Sequence, residues 1–241
     1  MKFKGFVLTA SVAVLAAACT STPKEQAHDE AHAEETVAEV VETPASIWEG
    51  EIAAATLADA GEAAAPEGAT VFAIDPATST MAWRGSKPTE FHEGTISVKG
   101  GEFHVVEGAL AGGKIVVDMN SIVNTDVTNE EYNGKLVGHL GSPDFFDIAT
   151  YPEAVLEVVS VEGDQVTANL TIKDITNQVT FPATVEVTDA GVNAKARFSI
   201  DRTKWGVEYN SGSIFSIEEL KDKLINDQID FVIEVAAPAG A

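Results

Sequence analysis

The chain has 241 residues and a formal net charge of −23, from 15 Lys and Arg against 38 Asp and Glu. Phosphate affinity needs clustered cations, so this balance excludes a nucleic-acid-binding protein. A hydrophobic fraction of 45% suits a globular domain, and a single cysteine excludes one held by disulfides.

The N-terminus, "MKFKGFVLTASVAVLAAAC", sets Lys2 and Lys4 before an apolar run from Phe6 to Ala18. That run is too short to span a bilayer as a helix, so 1–18 reads as a signal segment. Small residues lead into Cys19, in a pattern that resembles the bacterial lipoprotein signal. There the cysteine becomes the lipidated first residue of the mature chain. Ala16 stands where that signal usually has leucine, and Leu15 is one place further away. The expectation is export to the bacterial cell envelope and a membrane anchor at a lipidated Cys19. Thr20 is not the aspartate that retains some lipoproteins at an inner membrane, which leans toward the outer membrane facing the periplasm.

Residues 19–69 are rich in Ala, Glu, Pro and Thr and nearly empty of aromatics. Low hydrophobicity and like charge predict a disordered acidic linker, a tether that folding does not need. His28 and His32 stand four apart among carboxylates, but nothing preorganises a metal site there, and a solvated tail is the plainer reading.

From 70 to 241 the pattern changes to alternation. "QVTANLTIK" puts Val166, Ala168, Leu170 and Ile172 on one face. "VNAKARFSI" does so with Val192, Ala194, Ala196, Phe198 and Ile200, and "IDFVIEV" with Ile229, Phe231, Ile233 and Val235. Period two with one wet face predicts antiparallel strands. Turn signals separate the runs, and roughly eight such strands must close on one another as a sandwich or a barrel. Two short amphipathic helices interrupt them. One runs through "TNEEYNGKLVGHLG", with Thr128 and Glu131 in capping-box spacing and Tyr132, Leu136 and Leu140 on one stripe. The other is "SIEELKDKL", opened by Ser216. The fold class is all-β with two short helices.

Small inward residues, Ala168, Ala194 and Ala196, leave volume that is either a ligand cavity or room for Phe198 and Phe231. "GHLGSPDFFDIATYPEA", residues 138–154, sets Phe145 and Phe146 between Asp144 and Asp147, with His139 before and Tyr151-Pro152 after. Trp83, Trp205 and Tyr209 suit either a pocket rim or a structural aromatic cluster. Arg202 is a candidate partner for an anionic head group, or one half of a structural ion pair. His92, His104 and His139 lack metal-ligand spacing.

"GHLGSPDFFDIATYPEA" resembles the hallmark of the YceI-like family. "FAIDPATSTMAWRGSK", "HEGTISVKGGEF", "LTIKDITNQVTFP", "FSIDRTKWGVEYNSG" and "LKDKLINDQIDFVIEVAA" resemble its other segments, in the same order. Asp174 departs from the glycine usual before Ile-Thr. The resemblance implies an eight-stranded antiparallel barrel of lipocalin-like shape whose apolar pore holds a polyisoprenoid or an isoprenoid quinone-like lipid. It implies no cofactor beyond that lipid. Phe145 and Phe146 would stand at the mouth. Trp83, Ala168, Leu170, Ala194, Ala196, Phe198, Trp205, Tyr209 and Phe231 would line the pore, and Arg202 would meet the head group.

Three functions compete. The first is a membrane-anchored lipid carrier. The second is an enzyme, for which no Gly-x-Ser-x-Gly elbow or His-Glu-x-x-His motif is found. The third is an envelope scaffold or adhesin with a filled barrel. Expected partners are a long-chain lipid and, through Cys19, a membrane. A protein partner, a second copy of the chain included, is left open.

Overall fold

The computed structural model describes residues 46–63 and 66–240. The signal segment, Cys19, His28 and His32 lie outside them. Eight strands form a closed ring: β4 (Thr80–Ser86), β5 (Phe91–Val106), β6 (Ala109–Asn124), β7 (Glu153–Glu162), β8 (Gln165–Ile172), β9 (Ile175–Thr188), β10 (Gly191–Asp201) and β11 (Gln228–Pro238). Each pairs antiparallel with its sequence neighbour, and β11 returns to β4, so the strands close as a barrel. Alternation places the inward sets in the core: Val166, Ala168, Leu170 and Ile172 are all buried, as are Val192, Phe198 and Ile200.

Turn chemistry orients the barrel. One end carries the tight turns β5–β6, β7–β8 and β9–β10. The other carries the β8–β9 turn and the long connections after β6 and β10. Ile172 pairs with Ile175, so Lys173 and Asp174 alone make the β8–β9 turn, with φ of 51° and 58°. Two positive φ values in a two-residue hairpin describe a type I′ turn, which glycine or asparagine enters at least cost. The turn is as tight as the family pattern implies, although neither position is glycine.

Helix α1 (Glu130–Leu140) follows β6 at that second end. Its N-cap is Asn129, whose side chain accepts from the Tyr132 amide at 3.1 Å, and not Thr128. Asn competes well for this position, and here it satisfies an orphan amide. No α1 residue is fully buried and Tyr132 is exposed, so the expected stripe is only half used. Asn133 fastens the helix by donating to the carbonyls of Asn124 and Val127, each at 3.0 Å. Asp126 below it accepts from the Glu93 amide and meets His92 Nδ1, both at 2.9 Å. Burial works against its charge, but the Glu93 amide, His92 and Asn124 outweigh that and hold the carboxyl below its ordinary range. The second helix, α2 (Ile217–Leu220), is one turn long, and its expected cap Ser216 makes no side-chain bond.

Of the linker expected over 19–69, residues 19–45 lie outside the described residues, and the part from 53 to 59 is ordered in the structure. Strands β1 (Ala53–Ala54) and β2 (Thr56–Asp59) belong to the barrel wall. Strands β9 and β10 pair only from Gly191–Thr188 to Ala196–Ala183, then part. The gap is filled by one extended segment: β1 runs parallel to β10, and β2 antiparallel to β9. Ala55 and Leu57 pack into the core, and Gly61 exchanges two bonds with the Asn169 side chain at 3.0 and 2.7 Å. Unpaired strand edges at the gap need donors and acceptors, and a nonlocal segment supplies them. A further strand, β3 (Thr70–Ala73), pairs outside the ring with β5.

Two clusters fill the interior. Ile74, Val98, Phe103, Val105, Leu110, Val192, Val235 and Ala237 plug the end with the tight turns. The larger cluster, with Trp83, Ile96, Met119, Leu170, Phe198 and Ile229, occupies the other half. It leaves space.

Candidate functional site: an apolar pocket at one end of the barrel

The space is a cavity of about 130 Å³, measured as room for the centre of a water molecule, and its accessible wall is apolar throughout. Strands β4, β5, β6, β7, β8, β10 and β11 all contribute side chains. Trp83 turns its ring inward and fixes it by donating from Nε1 to the Thr95 carbonyl at 3.3 Å. Phe198 and Phe231 stand with centroids 5.8 Å apart, and Phe181 stacks on Phe198 at 4.1 Å, outside the lining. Strand β11 lines the pocket from Gln228 to Ile233, which at the rise of a strand is ~17 Å along a tilted direction. The apolar pore implied by resemblance is a blind pocket, because the second cluster fills the rest of the barrel.

Phe145 and Phe146 both line this pocket, held at its mouth by a knot of backbone bonds. Helix α1 ends at Gly141, and the chain turns back at once. The Phe146 amide donates to Leu140 O at 3.1 Å and the Ile148 amide to Gly141 O at 3.1 Å. The Phe145 and Asp147 amides both donate to Ser142 O, at 3.0 and 2.9 Å. Asp147 takes φ 46° to make the bend, and its carbonyl accepts from Thr150 and Tyr151 at 2.9 Å each. Asp144 faces His139 at 3.3 Å. The His139 ring meets Phe145 and Tyr209 edge-on, at 5.0 and 4.7 Å.

Six of the residues expected to line the pore do so: Trp83, Phe145, Phe146, Leu170, Phe198 and Phe231. Five do not. Ala168 faces inward but is covered by its cross-strand neighbours Val158 and Val179, both buried. Ala194 packs on the plug cluster and Ala196 beside the Phe181–Phe198 stack, so their small size makes room for neighbours. Trp205 is fully buried, donating from Nε1 to Leu170 O at 2.9 Å, and braces the wall from behind. Tyr209 lies outside Phe145.

Arg202 reaches the lining, but as a clamp and not as a head-group ligand. Its Nε donates to Asn226 O at 3.1 Å, Nη1 to Val207 O at 2.7 Å and Nη2 to Ile225 O at 3.1 Å, with Asp227 at 3.6 Å. Burial lowers its pKa, against the carboxylates of Asp227 and Asp201. Sequence reasoning missed Met81, Gly85, Met119, Ile122 and Ile225. Gly85 is the informative one: it faces the pocket, and a Cβ placed there would meet nothing within 4 Å.

Besides Arg202, the polar residues of the lining are Asn226 and Gln228. The lining holds no nucleophile and no acid–base pair, and among the described residues no cluster of three metal-ligating side chains occurs. The arrangement can accept an apolar chain and exclude water from it.

A family model described as the YceI-like domain matches residues 72–237. Among solved structures, BcnA of Burkholderia cenocepacia is similar at 22% identity, covering 68% of this chain and 99% of its own, with a TM-score of 0.49. A polyisoprenoid-binding domain from Saccharophagus degradans, implicated in plant cell wall breakdown, is similar at 17% identity, covering 69% and 98%, with a TM-score of 0.48. The YCEI protein of Campylobacter jejuni is similar at 18% identity, covering 56% and 75%, with a TM-score of 0.42. No curated protein matches the chain.

Proposed function

From the premise that the chain belongs to the YceI-like domain family, we propose that it is a membrane-anchored carrier of a long-chain amphiphile, of the polyisoprenoid or isoprenoid-quinone class. The observation that carries this reading is the blind apolar pocket, walled by Trp83, Phe198 and Phe231 and topped by Phe145 and Phe146. A filled barrel, as a scaffold would have, leaves no such space.

The energetics favour a carrier that works beside a membrane. A prenyl chain resides in a bilayer, so its transfer into an apolar pocket exchanges one apolar environment for another at little hydrophobic gain. Selectivity then rests on shape. A pocket ~17 Å long holds part of a long chain, and the remainder folds back or protrudes at the mouth. A lipidated Cys19 would hold the domain at the envelope, on the outer membrane facing the periplasm, where sequestration or short-range transfer is useful.

The test is native mass spectrometry of the chain purified without harsh detergent. A discrete added mass that organic extraction identifies as a prenyl lipid is the expected result. A lipid-free protein with an unoccupied barrel after exposure to prenyl lipids would sink the reading. Replacing Cys19 by Ser should release the protein from the membrane fraction, and retention there would place the anchor elsewhere.

A further inference from the structure

Three side chains of the pocket have a double role. Val98, Ile115 and Ile233 line the cavity and also pack on the cluster that plugs the far half of the barrel. Beyond them Phe103, Val192 and Val235 are buried, so these three make the floor. The accessible wall above is apolar throughout, and Arg202, the cation that reaches it, is spent on three backbone carbonyls. A polar head group inside would stay unpaired, so an amphiphile enters tail first and its tail end meets the floor.

Bore and depth fix how much chain fits. The 130 Å³ open to the centre of a water molecule, drawn out over the ~17 Å of lining strand, is a tube ~1.6 Å in radius. Adding the ~1.4 Å radius of water makes it ~3 Å. Chain carbons touch at ~3.5–4 Å, so this bore takes one hydrocarbon chain and not two. An extended chain advances ~1.2 Å per main-chain atom. An isoprene unit has four such atoms, so the pocket holds about three to four units.

We propose that the pocket selects prenyl chains by length, favouring those of about three to four isoprene units, with Val98, Ile115 and Ile233 as the stop. The proposal rests on reading the pocket as a lipid site and narrows the ligand of that site. The membrane that supplies the chain sets the selectivity. Units inside the pocket lose little relative to the bilayer they left, because both surroundings are apolar. Units beyond the mouth exchange hydrocarbon for water, and each methylene so exposed costs ~4-fold in the equilibrium. Doubling the excess against the rim recovers part of that cost. A net loss of ~10-fold or more remains for each whole unit. A chain matched to the pocket therefore outcompetes a longer one drawn from the same membrane.

The test offers the full chain carrying Cys19→Ser phosphatidylcholine vesicles that hold equal amounts of prenyl alcohols of three, four and eight isoprene units. Incubation continues until the bound ratio is constant, and native mass spectrometry reads which alcohol is retained. The expected result is retention of the three- and four-unit alcohols over the eight-unit one by ~10-fold or more. Equal retention of four and eight units, or a preference for eight, overturns length selection and leaves the pocket reading standing. Retention of none ends the pocket reading, and length selection with it. Ile233→Phe and, from a different strand, Ile115→Phe raise the floor and test the stop. Each should lower four-unit retention relative to three-unit by ~4-fold or more, the worth of one displaced methylene. Circular dichroism checks that the variants fold, and a folded variant with the unaltered ratio would show that these side chains are not the stop. The comparison of four with eight units on the unaltered pocket decides length selection whether or not the variants fold.

Discussion

The indole of Trp48 lies on the guanidinium of Arg84, 4.4 Å from ring centroid to central carbon, and Phe91 lies 4.3 Å from the same carbon. Arg84 also pairs with Glu93. Trp48 precedes the wall segment 53–59, so this stack pins the segment's start to β4 while Gly61 pins its end to β8. Cation–π contacts at exposed sites contribute ~0.5–1 kcal/mol each. The ladder bonds and the burial of Leu57 contribute more. A chain beginning at Gly68 is therefore expected to be less stable than one beginning at Ser46 by about 2–4 kcal/mol. Denaturant midpoints measure this, and equal midpoints would show that the segment adds nothing to the wall.

Gly85→Leu is the plug for the pocket. The new side chain projects into empty space, so the folded state should change by less than ~1 kcal/mol while prenyl retention is lost. Ala196→Trp, by contrast, overpacks the Phe181–Phe198 stack and should cost ~1–3 kcal/mol or more. Thermal melts and extracted lipid, compared for the two variants, give opposite patterns if the cavity lies where Gly85 faces.

The β8–β9 turn offers a gain. A left-handed conformation costs ~1–2 kcal/mol for an ordinary residue and less for Asp. Asp174→Gly removes that cost but loosens the unfolded chain, leaving a net gain of ~0.5–1 kcal/mol. Asp174→Val should lose stability in the same denaturant titration. A gain with valine would show that the turn is not left-handed at this position.

Two aspartates carry opposite pH signatures. Asp126 is held below its ordinary range, so its contribution is present above the unfolded pKa and is lost as pH falls through the folded one. Asp126→Asn should destabilise at pH 7, by an amount that fades toward acid. Asp230, on the outward face of β11, is raised by burial, which Arg84 only partly offsets. Its charge is a penalty above the folded pKa, and the penalty vanishes below the unfolded one. Asp230→Asn should stabilise at pH 7, and that gain should shrink as the solution is acidified. Urea titrations at pH 7 and at a pH below the ordinary carboxylate range read both, and effects of the same sign at pH 7 for the two variants would contradict the burial argument.

Strand faces were legible because alternation is local: Leu170, Phe198 and Phe231 point inward as their spacing requires. Depth was not. Ala168 and Leu170 share a strand and a face, yet one is sealed by Val158 and Val179 and the other meets the cavity. Which of two inward residues touches open space depends on cross-strand neighbours that no spacing rule reveals. Gly85 was overlooked for a related reason, since an absent side chain gives no periodic signal. The wall segment 53–59 was hidden differently. "AAATLAD" has weak strand propensity and lies in linker-like composition, and its place is set by the parting of β9 from β10.

That late-paired segment also orders assembly in time. Ala53 and Thr56 are synthesised ahead of the whole ring, yet their partners, Phe198 and Thr180, follow more than a hundred residues later. Pairings so distant in sequence carry a large loop-closure entropy and are slow to form. The ring of β4 to β11 can assemble from successive hairpins before the segment settles into its gap. Folding should therefore end on the insertion of its earliest-made strand, and until that step one side of the barrel wall, between β9 and β10, stands unzipped.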